Sequence, residues 1–379
     1  MYQPYHSKKR NRALYIYILS AALLCIIGII SIYSASSIFA FKRFGTTQYY
    51  LYRELIGLVL GSIALMCASI LPLHYIQRLS FFFLLCALML TACTLLTTHA
   101  VAIHGSSRWL KLGPLALQPS EFLKYATIVY LADFFARKDI RSHAAQKLWI
   151  GFLLIMALVS TVLLAQPDFG MTVIIWITAL AMAYVAGIAG RHLCYGVMAF
   201  VPFCLLLILC KPYRLQRVLT YLNPWSDRQG AGFQIIQSLI AIGSGNVAGV
   251  GIGQSKQKFF YLPMQHTDFI FSIMAEETGF IGGSCVIILY MLFIYSGLRL
   301  AAQQQSLFGR YLIVGFTLTV AVQACMNLAI TMGLLPTKGI GLPFISYGNS
   351  SLIASLAMLG LVINCVRNDQ TATKMYVYR

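Results

Sequence analysis

Acidic residues are scarce in this chain. Asp and Glu together number 10 in 379 residues, and all charged residues make up only 10%. Soluble domains carry about 25% charge, so a fold with this little polar surface could not cover itself against water. Metal and disulfide signatures are missing too. No C-x-x-C occurs among the ten cysteines, and the seven histidines have no H-x-x-x-H spacing, which argues against a structural zinc site or a disulfide scaffold. The glycine-rich stretch Gly243–Lys256 contains no G-x-x-x-x-G-K-[ST] and lacks the strand–turn–helix context of a nucleotide loop. Its glycines leave only a looser option, backbone amides approaching an anion, with Lys256 and Lys258 nearby.

What is abundant is apolar surface: 59% of residues are hydrophobic and 13% aromatic, with a mean hydropathy of +0.77. A membrane-crossing helix needs about 20 mostly apolar residues. Runs of that kind lie at 14–34, 55–71, 80–96, 148–165, 170–189, 193–210, 269–298, 311–335 and 347–366, with a weaker one at 122–136. The sequence therefore predicts an all-α polytopic membrane protein of ten spans in one domain (1–379). Cytoplasmic tails lie at 1–13 and 367–379, and a long extracytoplasmic loop, 211–268, joins spans seven and eight. The first run exceeds a signal peptide's apolar region and is read as an uncleaved span.

The net charge of +18 reads as membrane topology rather than nucleic-acid binding. With the N-terminus inside, the inner segments hold Lys8, Lys9, Arg10, Arg12, Arg78, Arg137, Lys138, Arg141, Lys147, Arg191, Arg299, Arg310, Arg367, Lys374 and Arg379. The short outer segments hold Lys42, Arg43, Arg53, Arg108, Lys111 and Lys338. This asymmetry places both termini in the cytoplasm.

So few acids narrow the search for chemistry. Asp369 reads as a solvated cytoplasmic charge, and Asp133 as a group facing the inner surface. Glu121, Asp168, Asp227, Asp268, Glu276 and Glu277 fall near or within the outer half of the membrane, where ionisable groups are costly and are functional candidates by default. Asp268 lies where the long loop re-enters the bilayer. A half-desolvated carboxylate there would serve as a general base, or as the N-cap of the following helix; spacing alone leaves both open. Of Glu276 and Glu277, one is expected to face the protein interior. Lys124 and Asp168 are opposite charges in neighbouring spans and are expected to pair.

Several motifs together carry a resemblance: Tyr33-Ser-Ala-Ser-Ser37, Arg108-Trp109, Gln118-Pro-Ser-Glu-Phe-Leu-Lys124, Gln166-Pro-Asp-Phe-Gly170, Asn223-Pro-Trp-Ser-Asp227, Gln237–Gly245, His266-Thr-Asp-Phe269 and Leu335-Pro-Thr-Lys-Gly339. Over most of its length the chain resembles the SEDS family (shape, elongation, division and sporulation), ten-span proteins that polymerise lipid II into glycan strands. The Asn-Pro-Trp run, Gly-Val-Gly-Ile-Gly-Gln-Ser and Leu-Pro-Thr-Lys-Gly resemble the division branch more than the elongation branch. The resemblance puts the family's essential aspartate on Asp268, with His266 beside it. Arg53, Arg108, Lys338, Arg214 and Arg217 become candidates for the substrate pyrophosphate, with Mg²⁺ or Mn²⁺ able to share that task. It also implies a class B penicillin-binding protein as partner, besides other division proteins, since no S-x-x-K with its companion motifs supplies cross-linking here. Spans eight and nine are the expected contact, through Gly279, Gly282, Gly283, Ser284 and Gly315. Departures from the family pattern are Met264, Arg228, Asn246, Asn349 and Glu54. A lipid II flippase and a non-catalytic division scaffold are the rival readings from other classes.

Overall fold

The structure is a computed structural model. It describes residues 4–377 apart from 97–99, 104–105, 113–114, 138–144, 210–211, 229, 231 and 260–264. The helices are α1 (Pro4–Phe44), α2 (Tyr49–Ile70), α3 (Leu73–Arg78), α4 (Ser80–Leu96), α5 (Pro119–Ala136), α6 (Ala145–Ala165), α7 (Phe169–Val185), α8 (Gly190–Leu209), α9 (Pro212–Leu222), α10 (Phe233–Ser244), α11 (Ile270–Ala302), α12 (Leu307–Thr331) and α13 (Asn349–Val377). Each of the ten apolar runs falls mainly on one helix. Six described helices are long and apolar enough to cross a membrane, namely α1, α2, α6, α11, α12 and α13, and α4, α7 and α10 are shorter apolar ones. Outward faces of α1, α2, α4 and α6 expose residues such as Leu19, Ile26, Val59, Met66, Phe82 and Leu154. That is the surface lipid requires, because helices satisfy their own backbone and leave only side chains to face the hydrocarbon.

Local chemistry sets the helix ends. Pro72 follows the C-cap Leu71 of α2, and a residue before proline is pushed out of the helical region. Pro119 opens α5 at a position where a missing N–H costs nothing. The Asp168 side chain accepts from the Met171 N–H at 3.3 Å and caps α7. Close packing then relies on small residues: a Cβ on Gly57 would lie 2.8 Å from Asn349 Oδ1, so α2 approaches the start of α13 only because that Cβ is missing. The same pair explains how Asn349, one of the departures from the family pattern, is accommodated. Tyr17 of α1 stacks on Phe293 of α11 at 4.1 Å and its hydroxyl meets Thr317 of α12 at 3.0 Å, tying three helices into one core.

The all-α architecture holds, with one addition: β1 (Ala100–Ile103), β2 (Ser106–Leu112) and β3 (Leu115–Leu117) form a small antiparallel sheet ahead of α5. Three expectations need correction. The stretch 211–268 is no plain loop, since it folds into α9, a 3-10 turn at Pro224–Asp227, and α10. Asp369 is not a solvated charge: it is buried and pairs with Arg10 at 2.6 Å, joining the ends of α1 and α13. Finally, Glu276 and Glu277 are both buried, not one of the two.

The reason lies in a break within α11. Gly279 has φ +68, a conformation glycine adopts without the steric penalty other residues meet. The glycine-rich segment 243–258 clasps the break. Phe280 N donates to Asn246 O at 2.9 Å, while Val250 N and Gly251 N donate to Glu276 O and Glu277 O at 3.0 Å each. Asn246 itself has φ +46; asparagine is among the few non-glycine residues enriched in that region, so this departure from glycine keeps the turn. The amides of Val250 and Gly251 are thus engaged by the helix break.

Candidate active site

Asp268 sits in the turn that leads into α11, half-buried. The N-cap of α11 is Phe269, with no side-chain capping bond, so Asp268 is not a cap. Its carbonyl is held instead: Asn327 Nδ2 of α12 donates to Asp268 O at 2.8 Å and to Ile340 O at 2.6 Å. Ser346 Oγ donates to Thr267 O at 2.6 Å, and Tyr347 N donates to His266 O at 3.0 Å. The segment after α12 therefore forms a floor under the turn. A Cβ on Gly339 would stand 3.3 Å from Asp268 Oδ2, so the glycine leaves room beside the carboxylate.

The side chain is treated differently from the backbone. Among the described residues, no hydrogen bond reaches the Asp268 carboxylate. Burial pushes its pKa from 3.8 up to about 7, while Arg217, then Arg108, act in the opposite direction. A carboxylate with that balance titrates where a general base works best. Two arginines favour its ionised form without a fixed partner occupying its lone pairs.

Arg108 reaches the site from β2, which gives the unexpected sheet its role. Its Nε donates to Gln166 O at 3.1 Å, its Nη2 to Pro167 O at 2.6 Å, and its Nη1 lies 3.7 Å from Asp168. Burial also raises the Asp168 pKa, with Arg108 opposing. Arg217 comes from α9 and donates to Thr337 O at 3.2 Å. Lys338 lies over the Phe169 ring at 3.5 Å. Three cations thus converge on the ground between Asp268 and Asp168. The side chain of Arg214 lies outside the described residues, as does Met264.

Other predicted site residues stand elsewhere. Arg53 stacks over Tyr49 at 4.8 Å and bonds Tyr347. His266 lies in the same aromatic group, 4.5 Å from the Tyr50 ring and 5.6 Å from Phe39; burial lowers its pKa to about 4, so it is neutral. Lys258 is buried, bonds Gly253 O and lies 3.5 Å from Glu277, so it is not available to a phosphate. Lys256 lends its backbone N–H to Glu276 at 2.9 Å and belongs to the clasp. The expected Lys124–Asp168 pair does not form. Lys124 donates to Glu121 Oε2 and to Gln323 Oε1, both at 2.8 Å, because a partner three residues earlier on the same helix is always within reach.

Sequence reasoning missed Gln323 and Asn327. Their signal was available: two amides at i, i+4 in an apolar helix share a face, and a buried amide needs partners. Gln323 Nε2 donates to Gly341 O at 2.9 Å, so both residues of α12 brace the floor.

No three His, Cys, Asp or Glu side chains gather among the described residues. A Mg²⁺ or Mn²⁺ ion would thus draw on a carboxylate such as Asp268 and mainly on substrate phosphates, which is how Mg²⁺ is commonly held.

The sequence profile of the cell cycle protein family of FtsW, RodA and SpoVE matches residues 14–371. The chain belongs to this SEDS family. Stage V sporulation protein E of Bacillus subtilis is 36% identical over 95% of this chain and 98% of its own length. The "Probable peptidoglycan glycosyltransferase FtsW" of Coxiella burnetii is 38% identical over 90% and 92%. Among solved structures, a chain from a peptidoglycan synthase complex that coordinates polymerization and crosslinking matches with a TM-score of 0.76, at 31% identity over 93% of this chain and 97% of that one. RodA of Thermus thermophilus matches with a TM-score of 0.68, at 27% identity over 93% and 96%. Sporulation, division and rod-shape proteins all resemble the chain, so membership in the SEDS family does not separate these roles.

Proposed function

We propose that this SEDS protein is a peptidoglycan glycosyltransferase that polymerises lipid II at the outer face of the cytoplasmic membrane. The observation that carries the reading is the Asp268 carboxylate, half-buried, without a hydrogen-bond partner among the described residues, and faced by Arg217 and Arg108. Asp268 takes the proton from the 4-hydroxyl of the acceptor's N-acetylglucosamine. That oxygen attacks the anomeric carbon of the donor's N-acetylmuramic acid, undecaprenyl pyrophosphate leaves, and the α linkage becomes β. Arg217, Arg108 and Lys338 stabilise the charge that develops on the departing pyrophosphate.

The topology that serves this chemistry is ten spans with both termini in the cytoplasm, a reading supported by the ten apolar runs of the sequence and the inner excess of Lys and Arg. The Asn223-Pro-Trp and Leu335-Pro-Thr-Lys-Gly motifs favour the division role and hence the septum. For the partner, a class B penicillin-binding protein, the proposal now narrows to α11. Gly315 packs against Ile128 and Met182, and Gly279 and Gly283 are buried, so these glycines serve the protein's own packing. The most apolar stretch of α12 is 61% buried, against 33% for α11. Phe280, Ile288, Met291 and Tyr295 of α11 are the exposed surface that a single helix could cover.

The test is purified protein with its partner, incubated with lipid II and scored for glycan polymer. Polymer is the expected result; its absence with a partner shown to be bound and active in cross-linking would overturn the reading.

A further inference from the structure

A polar cavity lies at the other end of α5 from the Asp268 site. Helix α5 begins near the site, where Glu121 influences Asp168, and its 18 residues span about 27 Å. At its far end a cavity of 270 Å³ opens among Arg78, Ser80, Phe81, Tyr130, Asp133, Phe134 and Arg137.

Its charges are arranged unevenly. Asp133 is saturated: Ser80 Oγ donates to Oδ2 at 2.9 Å and Arg137 Nε to Oδ1 at 2.6 Å. Arg137 Nη2 donates to Gln77 O at 3.2 Å, which fixes the guanidinium in place. Arg78, in the last turn of α3, is exposed and has no hydrogen-bond or ion-pair partner among the described residues. Among the described lining residues, two guanidiniums face one satisfied carboxylate, a net positive balance. The neighbouring surface is apolar, with Phe81 52% and Phe82 57% exposed. A polar, positive hollow bordered by rings that face lipid matches one kind of molecule: an anionic head attached to hydrocarbon tails.

We propose that this cavity binds the phosphate of an anionic phospholipid headgroup, with Arg78 and Arg137 on the phosphate oxygens and the acyl chains along Phe81 and Phe82. Arginine suits this because its planar fork meets phosphate bidentately. Basic pockets between helices on the cytoplasmic side are where anionic lipid heads bind. Asp133 positions Arg137 and takes no part in ligand contact.

The experiment uses the full chain in nanodiscs of phosphatidylglycerol and phosphatidylcholine in equal amounts, followed by extraction into detergent and native mass spectrometry of retained lipid. Wild type is expected to keep phosphatidylglycerol at least fivefold over phosphatidylcholine. Arg78→Gln should reduce that preference to twofold or less, and Arg137→Lys, which retains the charge beside Asp133 but not the fork, should reduce it in part. Arg299→Gln removes an inner arginine stacked on Tyr295 and should leave the preference unchanged. Equal retention by wild type and Arg78→Gln would overturn the proposal, and so would an equal loss with Arg299→Gln, which would indicate diffuse surface charge. Displacement of the lipid by millimolar inorganic phosphate would also overturn it, by making a soluble anion the occupant.

Discussion

Asp268 and the pair Glu276–Glu277 stand within nine residues of one another, and their surroundings differ in what they leave open. Glu277 accepts from Ser34 Oγ at 2.6 and 2.7 Å and faces Lys258. Glu276 accepts from Ser255 Oγ and from two backbone amides of the clasp. Every carboxylate oxygen there has a partner within the protein. At Asp268 the backbone is braced by Asn327 while the carboxylate has no donor among the described residues. Buried charges that hold a fold together are saturated; a charge kept for a substrate is supported from behind and left free in front. That difference in saturation, more than burial, separates the structural acids from the catalytic one.

The largest effect should come from the open carboxylate. Asp268→Asn preserves shape and removes basicity, and general-base catalysis is worth about 10²–10⁴ in rate, so glycan polymerisation should fall by that much. Stability should move the other way. A carboxyl whose folded pKa is raised to about 7 favours folding fully only below its ordinary value of 3.8 and loses that contribution as pH rises through about 7. Asp268→Asn should therefore unfold at a higher temperature than wild type at pH 8, with the gap narrower at pH 5. A variant that polymerises at near wild-type rate would break the comparison outright.

The saturated pair should show the reverse pattern. Glu277→Ala strands Lys258 in a buried site, and removing one partner of a buried pair costs about 3–5 kcal/mol. Thermal unfolding in detergent should register this, and Lys258→Met in the same chain should recover part of it. If Glu277→Ala is as stable as wild type, the clasp is not what holds the α11 break.

A smaller effect sharpens the electrostatic side. Arg217 acts against burial on Asp268, so Arg217→Gln should raise the carboxyl pKa further and move the rising limb of the pH–rate profile to higher pH. Arg108→Gln should do the same to a lesser degree, since its influence ranks second. A downward shift in either variant would show that the two arginines do not face this carboxylate.

Much of this was legible in the sequence, for physical reasons. Apolar runs of span length have few alternatives to helices, so all ten landed on helices, although α1 extends from Pro4 to Phe44, well beyond the run at 14–34. Asp268 stood out because an acid where a loop meets a span is costly. What the chain could not disclose were choices among partners. Lys258 looked like a phosphate ligand until the Gly279 break brought the clasp onto Glu277. Arg108 read as one of six outer cations and a pyrophosphate candidate, and the sequence did not show that β2 carries it to Gln166 and Asp168.

The last prediction concerns the pair that was misassigned. Lys124 is fully buried, and a buried ammonium needs its counter-charge close by. Charge balance between neighbouring spans suggested Asp168, but helix geometry offered Glu121 on the same face of α5, and the 2.8 Å contact took precedence. Asp168 in turn caps α7 and meets Arg108, so both acids are engaged by nearer groups. A double-mutant cycle on unfolding stability should give a coupling of about 0.5–3 kcal/mol for Lys124→Met with Glu121→Gln, the range found for residues in contact. The cycle of Lys124→Met with Asp168→Asn should be additive to within about 0.3–0.5 kcal/mol. Equal coupling in both cycles would mean that the two acids share the lysine through one network. In that case the α5 charges would belong to the same electrostatic unit as Arg108 and, through it, Asp268.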